Sequence, residues 1–261
     1  MELLTESQIQ YVVNQDTYSK NLLLDYGLPG HTIHENLEHN SCFIGPQVWP
    51  FGPYGQFLIE NPHYYNQIIV PSLWVKNLYI EKFNLDGNKI SIWPVGIGKF
   101  DIEKNITYDC LVYFKRRKSE ELEKCIKFLE EQNLSYNIIS YGDYDESTFK
   151  SLLSQSKFCF LINGSESQGI AVQEIMNSNT PLLVWDIIEW LDQGEEYKVP
   201  ATSVPYWDER CGEKFYFESE MGEVFSKFYD IIETYRPKEF VEQNLSFRRS
   251  TEILLEILNA S

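Results

Sequence analysis

Two glutamates, Glu166 and Glu174, stand with seven residues between them, where an apolar segment gives way to a helical one. The apolar run KFCFLIN ends at the polar stretch GSESQG, and helical spacing of apolar residues begins near Gln168. In a parallel α/β sheet, ligands bind beyond the carboxyl ends of the strands, where helix N-termini converge. We therefore expect Glu166 in a loop at the rim of a ligand site and Glu174 in the second turn of the following helix.

The start of this helix suits a ligand that carries phosphate between two hydroxylated groups. Free N–H groups at a helix N-terminus favour an anion, and Gly169 and Ile170 would supply the first of them here. Because Gly169 lacks a side chain, a phosphate can approach its backbone closely. Glu174 would accept hydrogen bonds from a pair of hydroxyls, and Glu166 would face another part of the same ligand. A nucleotide-sugar is such a molecule.

A run of four cations, KRRK, follows the strand-like segment YDCLVYF. It places Lys115, Arg116 and Arg117 at the carboxyl end of that strand. There the guanidinium groups would bind phosphate oxygens bidentately, and the lysine would add a point charge. The ordinary interpretation of such a run is the solvated start of a basic helix. In a chain with 39 acidic and 22 basic residues, we favour phosphate binding.

The elements that must position these groups alternate regularly in the second half of the chain. Apolar, strand-like segments alternate with helical ones and predict a parallel sheet covered by helices on both faces. The strands are expected at 108–114, 136–142, 157–163 and 181–186, and the helices at 119–132, 146–156, 168–177, 219–235 and 237–259. A Pro- and Trp-containing loop separates the last strand from the last two helices.

The first half of the chain is less regular but also reads as strands and helices. Strand-like segments are expected within QYVVNQ, CFIGPQVW, QIIVPSLWVKNLYIEKF and KISIWPVGI. The polar segment GKFDIEKNIT that follows has no periodicity and is the predicted boundary. We therefore expect α/β domains at 1–100 and 101–261. The Gly/Pro-rich loop with Gly45 and Pro46 would face a cleft, or would equally be a rigid surface loop.

Composition excludes several classes of protein. A formal charge of −17 and a pI of about 4.6 disfavour a nucleic-acid coat. No apolar run approaches the roughly 18 residues of a membrane span, and the sequence MELLTESQIQ has no signal-peptide pattern. The five cysteines lack metal-ligand spacing, and Cys110 and Cys159, which lie in apolar strand-like segments, read as reduced core thiols of a cytoplasmic protein.

Carboxylates in a loop and in the first turns of a helix are common without any function, so the flanking segments decide the interpretation. The stretch SESQGIAVQEIMNSNTPLLV resembles the donor-site signature of retaining GT-B glycosyltransferases, the E-x7-E group (glycosyl transferases group 1, family 4-like). Glu166 and Glu174 match its two glutamates, and Gly169 and Pro181 match its second glycine and its proline. The sequence departs from the pattern at Ser167, Gln168 and Ile175, where Gly, Phe and Ala are usual.

The resemblance covers residues 65–190 well and the first 60 residues poorly. It implies two Rossmann-like domains with a cleft between them and a truncated N-terminal, acceptor-side domain. The other domain would bind the nucleotide-sugar.

The activity implied by the resemblance is transfer of a hexose, with retention, from a donor such as UDP- or GDP-hexose to a glycan or other hydroxyl acceptor. No metal and no further cofactor would be needed. Glu166 would be the catalytic residue that orients the sugar, and Glu174 would hold the ribose. The diphosphate would lie against Lys115, Arg116, Arg117, Gly169 and Ile170. Tyr141 and Gly142 would border the nucleobase, unless they simply form the turn at the end of their strand, which is the more common role of such a pair.

Three other functions stay open. One is a nucleotide-sugar epimerase of the same fold, which would need acid and base groups flanking the sugar. Another is a non-catalytic nucleotide-sugar-binding subunit, and the third is a nucleic-acid-binding module built on KRRK, which the acidic charge disfavours. The rival to metal independence is the Asp-x-Asp pair Asp143 and Asp145, but Asp145 stands where a helix N-cap is expected.

Overall fold

The chain folds into two units, and each contains its own parallel β-sheet. The computed structural model describes residues 21–24, 41–46, 56, 59–63, 65–192 and 195–260. One unit comprises Met1–Gly96 together with Phe247–Ser261, and the other comprises Ile97–Ser246.

The first unit contains a four-stranded parallel sheet in the order β1-β2-β3-β4. All residues of the segment Ile68–Val70 are buried, without the alternation of a half-exposed strand, as expected where both faces of a sheet are covered. Helix α1 follows β3 and ends at Asn84, which adopts a left-handed conformation. The elements are β1 (Asn21–Leu24), β2 (Ser41–Ile44), β3 (Gln67–Val70), α1 (Leu73–Phe83) and β4 (Ile90–Ile92).

The second unit contains a five-stranded parallel sheet in the order β11-β8-β7-β5-β6. An antiparallel hairpin, β9-β10, is inserted after β8. The elements are β5 (Tyr108–Lys115), α2 (Ser119–Glu131), β6 (Tyr136–Ser140), α3 (Glu146–Gln155), β7 (Ser156–Asn163), α4 (Ile170–Asn177), β8 (Leu182–Trp185), β9 (Glu189–Asp192), β10 (Glu195–Pro200), β11 (Gly212–Phe215), α5 (Met221–Asp230) and α6 (Pro237–Asn244).

Helices cover both faces of this second sheet. In β5, an interior strand that lies between β7 and β6, Leu111 and Tyr113 face one core, to which α3, α4 and α6 contribute. Their neighbours Cys110 and Val112 face the other core, with side chains of α2 and α5. Because successive strand residues point to opposite faces, a strand that is buried on both faces has to be apolar throughout.

The last helix, α7 (Phe247–Asn259), belongs to the first unit. Leu254 packs with Phe43 and Ile69. The Trp93 indole donates a hydrogen bond of 3.0 Å to the Ser250 carbonyl, and the Ser250 hydroxyl donates one of 2.8 Å to the Pro94 carbonyl. These contacts tie the helix to the end of the first sheet.

The predicted fold class, α/β with parallel sheets, is confirmed. The single helix predicted at 237–259 is two helices, Pro237–Asn244 and Phe247–Asn259. The helix is interrupted at Leu245, whose carbonyl accepts a hydrogen bond from the Ile97 N–H. The sequence did not predict β1, β9, β10 or β11, and β11 begins inside the expected loop. The expected strand QYVVNQ lies outside the described residues.

The domain division differs from the predicted one in two respects. The boundary lies after Gly96 instead of after residue 100, and Phe247–Ser261 groups with the first unit instead of the second. Helical periodicity identified the last helix, but only the contacts of Ser250 and Leu254 show which sheet it packs against.

Cys110 and Cys159 are buried and unpaired, as predicted, and among the described side chains so are Cys125 and Cys211. Among the described residues, no helix combines the length and the apolar character that crossing a bilayer requires.

Leu254→Ala should destabilise the first unit selectively. The side chain is 4% exposed, and a buried leucine truncated to alanine typically costs about 2–5 kcal/mol because a cavity remains. Hydrogen exchange measured by mass spectrometry should accelerate in peptides that contain β3. The control Arg248→Ala, at an exposed site on the same helix, should change exchange little. Acceleration confined to peptides of β5 and β7 would contradict the assignment of α7 to the first unit.

Candidate functional site

The carboxyl edge of the second sheet brings together side chains that are distant in sequence. Lys115 ends β5 and Asn163 ends β7, and the two residues are partners in the register of these strands. Tyr141 follows β6 directly, and its N–H donates to the Phe114 carbonyl. Parallel strands end at a common edge, so a lysine, an amide and an exposed aromatic ring meet there.

Glu166 reaches back from the loop after β7 into this group. Its carboxylate lies 2.5 Å from the Lys115 ammonium, and the two side chains are only 12% and 14% exposed. The Asn163 amide donates to the same carboxylate oxygen at 3.3 Å. The Lys115 ammonium also lies 4.2 Å from the centre of the Tyr141 ring, a favourable cation–π distance. Two residues that were predicted to bind different parts of one ligand therefore contact each other.

The second arginine of KRRK is engaged within the protein. The Arg117 guanidinium forms a two-pronged ion pair with Glu121. One of its nitrogens also donates to the carbonyls of Asn163 and Trp185, at 3.1 and 2.9 Å. Its donors are thus used to close the carboxyl ends of β7 and β8 rather than being offered to a phosphate.

Arg116 is different. It is exposed and adopts a left-handed backbone conformation with φ of 52°. Within the described part of the chain, its side chain has no hydrogen-bond or ion-pair partner. Of Lys115, Arg116 and Arg117, Arg116 is therefore the one that can turn to an anionic ligand without breaking an internal contact.

Helix α4 begins at Ile170, two residues later than predicted. The reason is Gly169, whose left-handed backbone, φ 64° and ψ 45°, lies outside the helix. A side chain on Gly169 would also come within 3.3 Å of Pro205, so glycine fits here on both counts. Among the described residues, no side chain caps this N-terminus, and its first turn contains no acidic residue. Its leading N–H groups, at Ile170 and Ala171, suit an anion.

Glu174 lies in the second turn of α4, as predicted. It is half-buried, and none of the described residues forms a hydrogen bond or ion pair with its carboxylate. Burial raises the pKa of Glu174, and the negative charge of Glu146 raises it further, while Lys150 opposes the shift. A desolvated carboxylate with open acceptor positions suits a ligand that brings hydroxyl donors.

Two tyrosines near these carboxylates were missed by the sequence analysis. The Tyr113 and Tyr144 hydroxyls lie 2.9 Å apart. Glu174 and Glu166 both add to the effect of burial in raising the pKa of Tyr144, so its hydroxyl lies within the field of both. Tyr113 was indistinguishable from the other apolar residues of its strand. Tyr144 stands directly before the predicted N-cap Asp145, which was the available signal.

The remaining predicted positions lie at several places. Tyr141 is 55% exposed at this edge, and Gly142 forms the turn after it with φ of 95°. Gly45 and Pro46 lie in the first unit, where Gly45 packs so closely that a Cβ atom would lie 2.3 Å from the Ile69 carbonyl oxygen. The rest of that predicted loop, residues 47–55, lies outside the described residues.

Asp145 is the N-cap of α3, as predicted, because its carboxylate accepts from the Thr148 N–H at 2.7 Å. In the described ranges, no three His, Cys, Asp or Glu side chains are grouped so that they could hold a metal ion.

Comparison with known proteins gives a fold but no family. No protein-family model and no curated protein matches this sequence. Among solved structures, TarM is 14% identical, with 86% of this chain and 51% of TarM covered and a TM-score of 0.54. A glycosyltransferase from Rickettsia africae ESF-5 is 12% identical, with coverages of 84% and 70% and a TM-score of 0.55. The galactosyltransferase WaaB of the lipopolysaccharide outer core is 11% identical, with coverages of 85% and 69% and a TM-score of 0.52.

The chain spans about half the length of TarM and about 70% of the length of the other two. At these identities the similarity establishes the fold alone. The chain therefore has the GT-B fold, with Rossmann-like α/β units, that these structures share.

Glu174→Gln should stabilise the protein at neutral pH. A carboxyl group whose pKa is raised by folding costs no stability below its ordinary pKa of about 4.3, and the cost appears as pH rises through the raised value. At pH 7 the variant should exceed the wild type by up to about 1 kcal/mol in the free energy of unfolding, and the difference should shrink at pH 4.

Denaturant titrations at the two pH values would measure this difference. Glu123→Gln, at an exposed position of α2, removes the same charge and should show no comparable gain. A stability gap that is equal at pH 4 and pH 7 would contradict the assigned cause.

Proposed function

We propose that this protein is a glycosyltransferase that moves a hexose from a nucleoside-diphosphate sugar to a hydroxyl group of a glycan or other acceptor. We further propose that the reaction retains the anomeric configuration and needs no metal ion. The observation that supports this best is the meeting of Lys115, Glu166 and the N-terminus of α4 at one sheet edge, with Glu174 in the next turn.

The fold adds support. Two of the similar structures are glycosyltransferases by name, and a TarM G117R mutant, 14% identical with a TM-score of 0.53, was solved in a complex that includes UDP. This chain covers only part of the length of each of those proteins.

In the proposed complex, the diphosphate lies against Arg116, Lys115 and the N–H group of Ile170. Arg116 is exposed and unpaired within the described region, and the start of α4 has no competing acidic side chain. Arg117 is left out of this set, because Glu121 and two strand-end carbonyls already occupy its donors. Positive charge held in a partly desolvated site stabilises the negative charge that develops on the departing nucleoside diphosphate, which is commonly the largest catalytic term.

Glu166 has two successive roles in this proposal. In the structure it forms an ion pair with Lys115 at 2.5 Å. An incoming diphosphate competes for the same ammonium group, so Glu166 is released to hydrogen-bond the hydroxyls of the transferred sugar. The acceptor oxygen then bonds to the anomeric carbon on the face from which the phosphate oxygen departs. The acceptor's proton passes to that phosphate oxygen, and no enzyme nucleophile is required.

Glu174 would hold the ribose. Its carboxylate is half-buried and has no hydrogen-bond donor among the described residues. Paired ribose hydroxyls would supply the donors that it lacks, and a hydrogen bond to an ionised group contributes about 1.5–3 kcal/mol. The stability that this carboxylate costs the unliganded protein would thereby be offset by ligand.

The alternative function is a non-catalytic nucleotide-sugar-binding subunit. It is favoured by one observation, the direct Lys115–Glu166 pair, because a binding protein has no need to release Glu166.

Incubation with a panel of UDP- and GDP-hexoses in excess EDTA would test the proposal. We expect slow donor hydrolysis, with free hexose and nucleoside diphosphate released, because Arg116, Lys115 and the α4 amides take the place of a metal. Activity that is lost in EDTA and restored by magnesium or manganese would contradict metal independence. Binding without any turnover would support the non-catalytic subunit, and interconversion of epimeric sugars would identify an epimerase.

Glu166→Gln should tighten the binding of a nucleoside diphosphate and slow turnover. The neutral amide cannot pair with the ammonium group of Lys115 as an ion, so the diphosphate meets a lysine without a competitor. We expect a gain in affinity of about three- to tenfold by calorimetry and a loss of turnover of at least about tenfold. Glu123→Gln changes the net charge equally and is the matched control. Weaker binding by Glu166→Gln would show that Glu166 holds the nucleotide itself.

A further inference from the structure

A buried carboxylate, Asp186, directly follows β8, the strand beside β7. Its oxygens accept from the N–H groups of Ile187 and Ser203, at 2.9 and 2.7 Å, and from the hydroxyl of Thr202, at 2.8 Å. The Lys214 ammonium lies 3.4 Å away. A carboxylate is costly to bury unless hydrogen bonds and an opposite charge satisfy it, and here both are present. Asp186 therefore fixes the chain at Thr202 and Ser203 against the end of β8.

The Thr202 hydroxyl also shapes the segment 202–204. Its oxygen accepts from the Val204 N–H at 3.1 Å, as serine and threonine hydroxyls do when they fold the backbone that follows them. Its hydrogen is donated to Asp186. One hydroxyl thus joins the buried carboxylate to the backbone of this segment.

The segment 202–204 contacts two residues of the candidate site. The Thr202 carbonyl accepts from the Glu166 N–H at 3.0 Å, and the Ser203 hydroxyl donates to the Asn163 carbonyl at 2.8 Å. The side chains of Glu166 and Asn163 meet beside the Lys115 ammonium. The buried carboxylate is thus connected to the ion pair by one intervening residue on each route.

The backbone of Glu166 is therefore held from a different strand end than the start of its loop. The Gly164 N–H donates to the Lys115 carbonyl at 2.8 Å, which ties the start of the loop to β5. The Glu166 N–H donates instead to Thr202, which Asp186 holds. In the proposed reaction, Glu166 leaves one partner and then orients a sugar. Such a group depends on where its backbone is fixed, because a small displacement of a positioned group lowers the rate.

We infer that Asp186 is a positioning residue for Glu166 and acts through the segment 202–204. Asp186 lies outside the strand–helix junction that the sequence analysis singled out. The part of this inference that concerns turnover rests on the proposed function, which gives Glu166 its role. The part that concerns the position of Glu166 rests only on the hydrogen bonds.

The first test needs no ligand. Thr202→Val removes the hydroxyl and keeps the shape of the side chain, whereas Thr202→Ser keeps the hydroxyl. By hydrogen exchange followed by NMR, the Glu166 amide should exchange about fivefold faster in Thr202→Val and within about twofold of the wild type in Thr202→Ser. The Gly164 amide is the internal control and should change little in either variant. Thr234→Val, the same substitution at an exposed position of the second unit, should change neither amide.

The second test measures nucleoside-diphosphate binding and donor hydrolysis. Thr202→Val should slow turnover about fivefold and tighten binding about twofold, because a carboxylate with a loosened backbone competes less well for Lys115. In a Glu166→Gln background, the same substitution should change neither quantity, since no carboxylate is left to position. General damage to the site would instead weaken binding in both backgrounds.

Asp186→Ala should reproduce the effects of Thr202→Val, and if it does not fold, the two threonine variants still decide. The inference is overturned if the Glu166 amide is unchanged in Thr202→Val, or if Thr202→Ser exchanges as fast as Thr202→Val. Equal slowing of turnover in both backgrounds would also overturn it. A wild type that hydrolyses no donor overturns the proposed function alone, because faster exchange of Glu166 in Thr202→Val would still support the positioning.

Discussion

The geometry of the candidate site depends on the hydrogen bonds that the Arg117 guanidinium donates to the ends of β7 and β8. Strand ends leave carbonyl groups that need donors, and a buried carbonyl without one costs free energy. Arg117 supplies donors to Asn163 at the end of β7 and to Trp185 at the end of β8, and Glu121 holds the guanidinium in place. A planar group with five fixed donors can serve several acceptors at once, whereas a lysine could not fix these directions.

Because Arg117 donates to the carbonyls at the ends of β7 and β8, its two neighbours in the basic run have different partners. Lys115, two residues earlier, is paired with Glu166 across the loop that follows β7. Arg116 lies between these two engaged cations and has no partner in the described part of the chain. The first three residues of this basic run are thus a cation paired with an acid, a cation without a partner among the described residues and a structural cation. All three carry the same charge. They differ in the partners that each side chain contacts at the carboxyl edge of the sheet.

The acidic balance of the chain gives this local arrangement its importance. With a formal charge of −17, the field of the whole protein repels an anionic ligand. Only short-range groups can overcome that repulsion, and in the proposed complex these would be Arg116, the N–H groups at the start of α4 and Lys115. Glu174 adds a desolvated carboxylate whose raised pKa records a cost to stability. Such a cost is common where a site is built to meet a ligand rather than to stabilise the fold.

The sequence by itself determined the α/β class, the parallel sheets and most elements of the second unit, because buried strands and amphipathic helices leave periodicities that do not depend on distant contacts. It also located Glu166, Gly169 and Glu174 around one strand–helix junction. It could not determine the partner of α7, since an amphipathic helix shows that it has an apolar face and not which sheet covers that face. Arg117 and Arg116 look alike in the sequence, and only the tertiary structure separated them, because Asn163 and Trp185 come within reach of one of them only when β7 and β8 are assembled. Tyr113 and Tyr144 were hidden for the same reason, since a hydroxyl pair between residues 31 apart exists only after the sheet and α3 have packed together.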